Sequence, residues 1–129
     1  AEITERVWAL AERACVGQLM EVDDQLDWDA PRYIEVTRRI AGDQWALYLS
    51  IIWHGTRWAD DAERMGQCLG ALTSVALDRA GQDERFVRLS EADRARVAEW
   101  MDELEEQARQ RVTYPGVRPM LRWLHERGA

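Results

Sequence analysis

Lysine and asparagine are absent from the 129 residues, all seventeen cations are arginine, and there are only two cysteines, two histidines and three prolines. Each shortage excludes something. Cys15 and Cys68 are too few for a disulfide framework and too far apart for a short-spaced metal site. Both fall in amphipathic stretches, which predicts two buried thiols. With His54 and His125 the only histidines, a histidine-rich metal centre is excluded. No apolar run is long enough to span a bilayer, and "AEITERVWALAERACVG" carries acids through its apolar segment, unlike a signal peptide, so a cytoplasmic protein with no membrane partner is expected. Gly-rich phosphate loops, HExxH and GxSxG are missing as well. No nucleophile, base, metal or cofactor is identified, and an enzyme is the less expected class. The missing lysine reads as coding bias, because asparagine is missing with it.

What is present is a foldable composition, 47% hydrophobic and 32% charged, at a length that suits one domain over residues 1–129. The formal charge of −7 disfavours the phosphate backbone of nucleic acid, which binds through counterion release to a positive surface. Apolar residues recur at three-and-four spacing almost throughout, with no sustained alternation, so the fold class is all-α: a compact bundle of five or six helices.

The first helix runs from about residue 2 to 22, with Ile3, Val7, Leu10, Ala14, Leu19 and Met20 as its stripe. Asp29 followed by Pro31 opens a second helix to Ala41. Gly42 then ends it and Asp43 caps the third, "QWALYLSIIW", which is apolar nearly all round and predicts a buried central helix at about 43–54. A fourth helix covers about 57–79. On one ridge of it, Ala62, Gly66, Gly70 and Ser74 lie four apart, a pattern that predicts a close helix crossing, because interior glycine otherwise costs up to about 1 kcal/mol. The segment 81–89 reads as a loop pinned by Phe86 and Leu89. Ser90 with Asp93 resembles a capping box for a helix bearing Val97, Met101, Leu104, Ala108 and Val112. "TYPGVRP" is a turn, and a last helix comes after it at about 119–126.

Two segments resemble sites. In "IIWHGTRW", Trp53, His54, Arg57 and Trp58 form either a helix corner or a small pocket whose donors face an anionic ligand between aromatic walls. The corner reading has a reason for each residue, since Gly55 suits a helix end and Thr56 a new cap. On the fifth helix, Glu99, Asp102, Glu103 and Glu106 cluster opposite the apolar stripe, either as a solvated face whose acids nearby arginines neutralise or as an acidic docking surface for a basic protein. From Gln107 onward five arginines stand against one acid, Glu126, so the chain is polarised. The acidic stretch 23–29 lacks the glycine and glutamate of a calcium loop and reads as solvated.

One family pattern is also partly present. Glu2 and Glu5 with Glu21 and Asp24 resemble the ExxE and ExxD pairs of the all-α nucleotide pyrophosphohydrolases of the MazG type, where two helices bring the pairs together around magnesium. Here both pairs fall on one helix, with Glu5 and Glu21 about 24 Å apart at 1.5 Å rise per residue, so sharing a metal requires a bend at Gly17. Taken together, these features point to a small acidic protein-binding module, an inhibitor of the immunity or antitoxin type that docks a basic protein through its acidic helix. Self-association is compatible with it. The alternative is a small-molecule-binding protein or enzyme using the corner at 53–58.

Overall fold

The computed structural model describes residues 2–21 and 27–127, with Glu2 as backbone alone. Among these the helices are α1 (Glu2–Glu21), α2 (Ala30–Thr37), α3 (Asp43–Ile52), α4 (Ala62–Ala80), the single turn α5 (Glu84–Val87), α6 (Glu91–Arg109) and α7 (Val117–Glu126), and no strand is present. The result is an all-α bundle of six longer helices plus one short turn.

Local signals explain most boundaries. The Asp29 side chain accepts a hydrogen bond from the Arg32 amide at 3.0 Å, and Pro31 sits in the first turn of α2. Ser90 Oγ accepts from the Asp93 amide at 3.1 Å and so caps α6, while the Asp93 carboxylate takes the Ser90 hydroxyl at 3.0 Å rather than the Ser90 backbone N–H that a full capping box would use. Gly116, with φ +82°, stands at the start of α7, and Pro119 lies in the first turn, where its missing N–H is no loss. The segment expected to be a plain loop contains α5, capped by Asp83 on the Arg85 amide at 2.9 Å; Leu89 beyond it is buried.

The boundary at Gly42 and Asp43 is different from expectation. A π-helical turn over Arg38–Gly42 joins α2 to α3 without a break, and Gly42 keeps helical angles. Asp43 is no solvated cap but is 4% exposed. The extra residue of a π-turn rotates the C-terminal helix about its axis relative to the N-terminal one, and here it swings Asp43 inward toward α1 and α4.

The most buried element is α4, whose Met65, Cys68, Leu69, Leu72 and Val75 form the middle of the core with Tyr33, Val97, Met101, Val117 and Leu124 around them. The 43–54 segment takes a middle place between α1 and α4, but it is not buried all round: Tyr48, Ile51 and Ile52 are exposed. The small-residue ridge does make a close crossing. A Cβ on Gly66 would lie inside 3.0 Å of the Ala46 backbone, and one on Gly70 inside 3.0 Å of the Ala41 carbonyl and the Trp45 side chain. Gly17 of α1 makes a similar approach to Arg39 and Ile40. Leu10 is the buried anchor of α1, whereas Leu19, Trp8 and Cys15 face outward, so only Cys68 of the two thiols is buried. No described helix is long and apolar enough to cross a membrane.

Candidate functional site

The acidic cluster is set by helical periodicity. At 100° per residue Glu99, Asp102, Glu103 and Glu106 fall within one arc of α6, opposite Val97, Met101, Leu104 and Ala108, which are buried. All four acids are exposed. Glu106 has Arg109 at 3.8 Å; Glu99, Asp102 and Glu103 have no hydrogen bond or ion pair among the described residues. Glu105, one residue off this arc, is instead held by Arg109 at 3.0 Å and His125 at 2.6 Å. The structure therefore keeps the four sequence-predicted acids together on one surface, with Glu106 at its edge beside Arg109 of the basic tail.

The tail is less polarised in space than in sequence. Arg111 pairs with Asp61 at 2.7 Å, Arg109 with Glu105, and Arg127 stacks 3.9 Å over the Trp123 ring. Hydrogen bonding from Arg111, helped by the Tyr114 hydroxyl at 2.8 Å, holds the Asp61 carboxyl below its usual range.

The corner at 53–58 is filled by its own side chains. Trp53 is buried, with Tyr114 edge-on at 5.9 Å and Trp58 at 6.4 Å. Arg57 lies 4.8 Å over the Trp58 ring, and Thr56 Oγ1 donates to the Trp53 carbonyl at 2.6 Å. Gly55 has φ +77°, the left-handed ending that the sequence suggested. His54 and Arg57 are exposed. The residues of the alternative site are thus adjacent, but the rings pack against each other at an angle and Arg57 covers Trp58.

Three further features carry no mark in the sequence. Arg13 of α1 bridges Asp43 at 3.2 Å and Glu63 of α4 at 2.7 Å, and Gln67 donates to Asp43 at 2.9 Å. Glu35, Arg38 and Arg39 close this charged cleft of about 160 Å³. Second, a buried network joins α2, α4 and α5: Tyr33 donates to Asp78 at 2.6 Å, and Arg85 reaches Thr37 at 3.1 Å and Glu21 at 2.9 Å. Burial pushes the Asp78 carboxyl up, and burial with the Asp78 hydrogen bond pushes up the Tyr33 hydroxyl. Third, an apolar cavity of about 400 Å³ lies between α3, α4 and α7, walled by Trp45, Trp123, Met120 and Pro119 with Thr73 as its one side-chain hydroxyl. Each depends on residues distant in sequence that only the crossing of helices brings together, so periodicity held no signal for them.

Metal chemistry finds no support in these groups. Among the described residues no three of His, Cys, Asp and Glu stand together as metal ligands. Glu5 and Glu21 lie on the single continuous helix α1, and Glu21 pairs with Arg85; Asp24 is outside the described residues. Comparison with models of known protein families, with curated proteins and with solved structures found no match.

Proposed function

We propose that the chain is a protein-binding module that docks a basic protein through the outer face of α6, in the manner of an immunity or antitoxin inhibitor. The observation that supports this is the set of three exposed acids, Glu99, Asp102 and Glu103, which have no partner among the described residues and stand beside Glu106 on one helical arc. Like charges at four-residue spacing destabilise an isolated helix by about 0.2–0.5 kcal/mol per pair, a cost that a cationic partner removes. In a chain of net charge −7, such a face steers a basic protein and accelerates its encounter.

The test is kinetic. With a basic partner recovered by affinity capture from the source cells, association of the wild type is compared with that of Glu99→Arg/Glu103→Arg over a range of salt. The reversal should slow association most at low salt and less as the Debye length shortens from about 30 Å at 0.01 M to about 8 Å at 0.15 M. Equal on-rates and equal salt slopes reject the docking role.

A second reading, small-molecule binding, is supported by the Trp45 and Trp123 cavity rather than by the corner at 53–58, since its volume and apolar walls suit a small aromatic ligand. Quenching of tryptophan fluorescence by an indole or naphthalene probe, lost in Trp123→Ala, would favour it.

A further inference from the structure

We infer that the outer surface of α1 and α3 is the interface of an isologous homodimer. The two helices run antiparallel. Gly17 packs on Arg39 and Ile40, and Arg13 reaches Asp43, so the same register carries Trp8 alongside Tyr48 and Ile52. Their outward side chains are large and apolar: Trp8 is 67% exposed, Leu19 68%, Ile52 67%, Ile51 53% and Tyr48 48%. A groove of about 320 Å³ lined by Cys15, Gln18, Gln44 and Leu47 runs between the two rows.

Area and charge together point to the occupant. With aromatic side chains of roughly 150–250 Å² and aliphatic ones somewhat smaller, those five residues present roughly 500 Å², at the upper end of what a monomer leaves uncovered. The groove residues bring the face near the roughly 800 Å² per partner of a stable complex. The chain is 32% charged, yet residues 44–52 hold no charge at all. On α1 the arc from Gln18 through Cys15 and Trp8 to Leu19 is also uncharged, with Glu5 and Glu12 on its far shoulder. Interfaces between separable proteins keep about the polarity of the surrounding surface, whereas homodimer cores lose charge. Two copies of a −7 chain repel wherever acids meet, so an uncharged face is where they approach most easily. Pairs of helices laid on pairs of helices also give an ordinary four-helix layer. The acids of α6 are no part of this face, so failure here leaves the docking reading standing, and the reverse holds as well.

Sedimentation velocity of the wild type from low to high micromolar concentration tests the inference. The expected result is a dimer with a micromolar or tighter Kd, weakened at least about hundredfold by Ile51→Glu with helical circular dichroism retained, and unchanged by the control Glu103→Arg. A wild type that sediments as one chain at every concentration overturns the inference, whatever the variants do. So does a dimer whose Kd Ile51→Glu leaves unchanged. Should Ile51→Glu fail to fold, Leu19→Glu, on the more exposed row, decides between the same two outcomes.

Discussion

Gly66→Ala adds a single methyl group to an interior helical position, where alanine normally stabilises by about 1 kcal/mol. Here the sign should reverse. The new Cβ would fall inside 3.0 Å of the Ala46 Cα and N and of the Trp45 carbonyl carbon, all backbone atoms that no rotamer change can move aside. Relief requires α3 to shift from α4 by about an ångström, loosening contacts along the whole crossing, and such overpacking typically costs about 1–3 kcal/mol. The net expectation is a loss of about 1–2 kcal/mol. Gly70→Leu, which meets the Ala41 carbonyl and the Trp45 ring, should lose about 1–3 kcal/mol. Gly42→Ala is the internal control: its Cβ would meet Gln67 at 3.4 Å, ordinary contact, with helical backbone angles, so it should be neutral or stabilising by up to about 1 kcal/mol. Urea unfolding measures all three from the midpoint at constant slope. If Gly66→Ala stabilises as Gly42→Ala does, the close crossing of α3 and α4 is refuted.

Other perturbations probe separate parts of the molecule. His54→Ala, at an exposed helix end, should cost about 1 kcal/mol or less and leave partner binding alone; loss of a ligand with stability intact would restore the corner as a site. Asp61 has its folded pKa held below the ordinary aspartate value chiefly by Arg111, so its contribution is present above that ordinary value and is lost as pH falls through the depressed one. Asp61→Asn should therefore flatten the acid limb of the stability curve below about pH 4, and an unaltered limb would count against the pair. Alkylation of the native protein should modify exposed Cys15 quickly and leave Cys68, whose thiol burial pushes up to about 11, intact until unfolding. Peptide mapping by mass spectrometry reads the two sites apart.

Much of the fold is legible where one local signal suffices. Asp29 before Pro31, Ser90 before Asp93, Gly55 and the glycine ridge each encode a cap, an ending or a crossing in a few neighbouring residues. The sequence misleads where tertiary contacts override the local pattern. Gly42 and Asp43 have the chemistry of a helix stop and start, yet Arg13 and Gln67 draw Asp43 inward and the chain continues through a π-turn. Cys15 and Leu19 match an apolar stripe, but α1 has neighbours on one side only, and Leu10, Ala14 and Gly17 take that side. Hydropathy likewise makes α3 look central all round, because periodicity cannot distinguish a helix buried by its own chain from one with an apolar side left open. The acidic arc of α6 is legible for the opposite reason: it needs nothing but helical geometry.

Where the arginines go bears on how the acidic arc should be understood. Arg13 joins α1 to α3 and α4, Arg85 ties α5 to α1 and α2, and Arg111 locks the turn after α6 to Asp61. Planar guanidinium groups suit these junctions, since each can serve two or more acceptors at once. These three arginines engage Glu21, Asp43, Asp61, Glu63 and Asp78, none of them on the α6 arc, and an acidic surplus remains among the other charges. Solubility alone would be served by dispersing that surplus with both signs interspersed. On the first half of α6 the arginines Arg94 and Arg96 do alternate with acids, but from Glu99 to Glu106 every charge on the exposed arc is negative. A change from mixed to single-sign charge within one helix, with the cost of like-charge neighbours accepted, supports the docking face proposed for a basic protein.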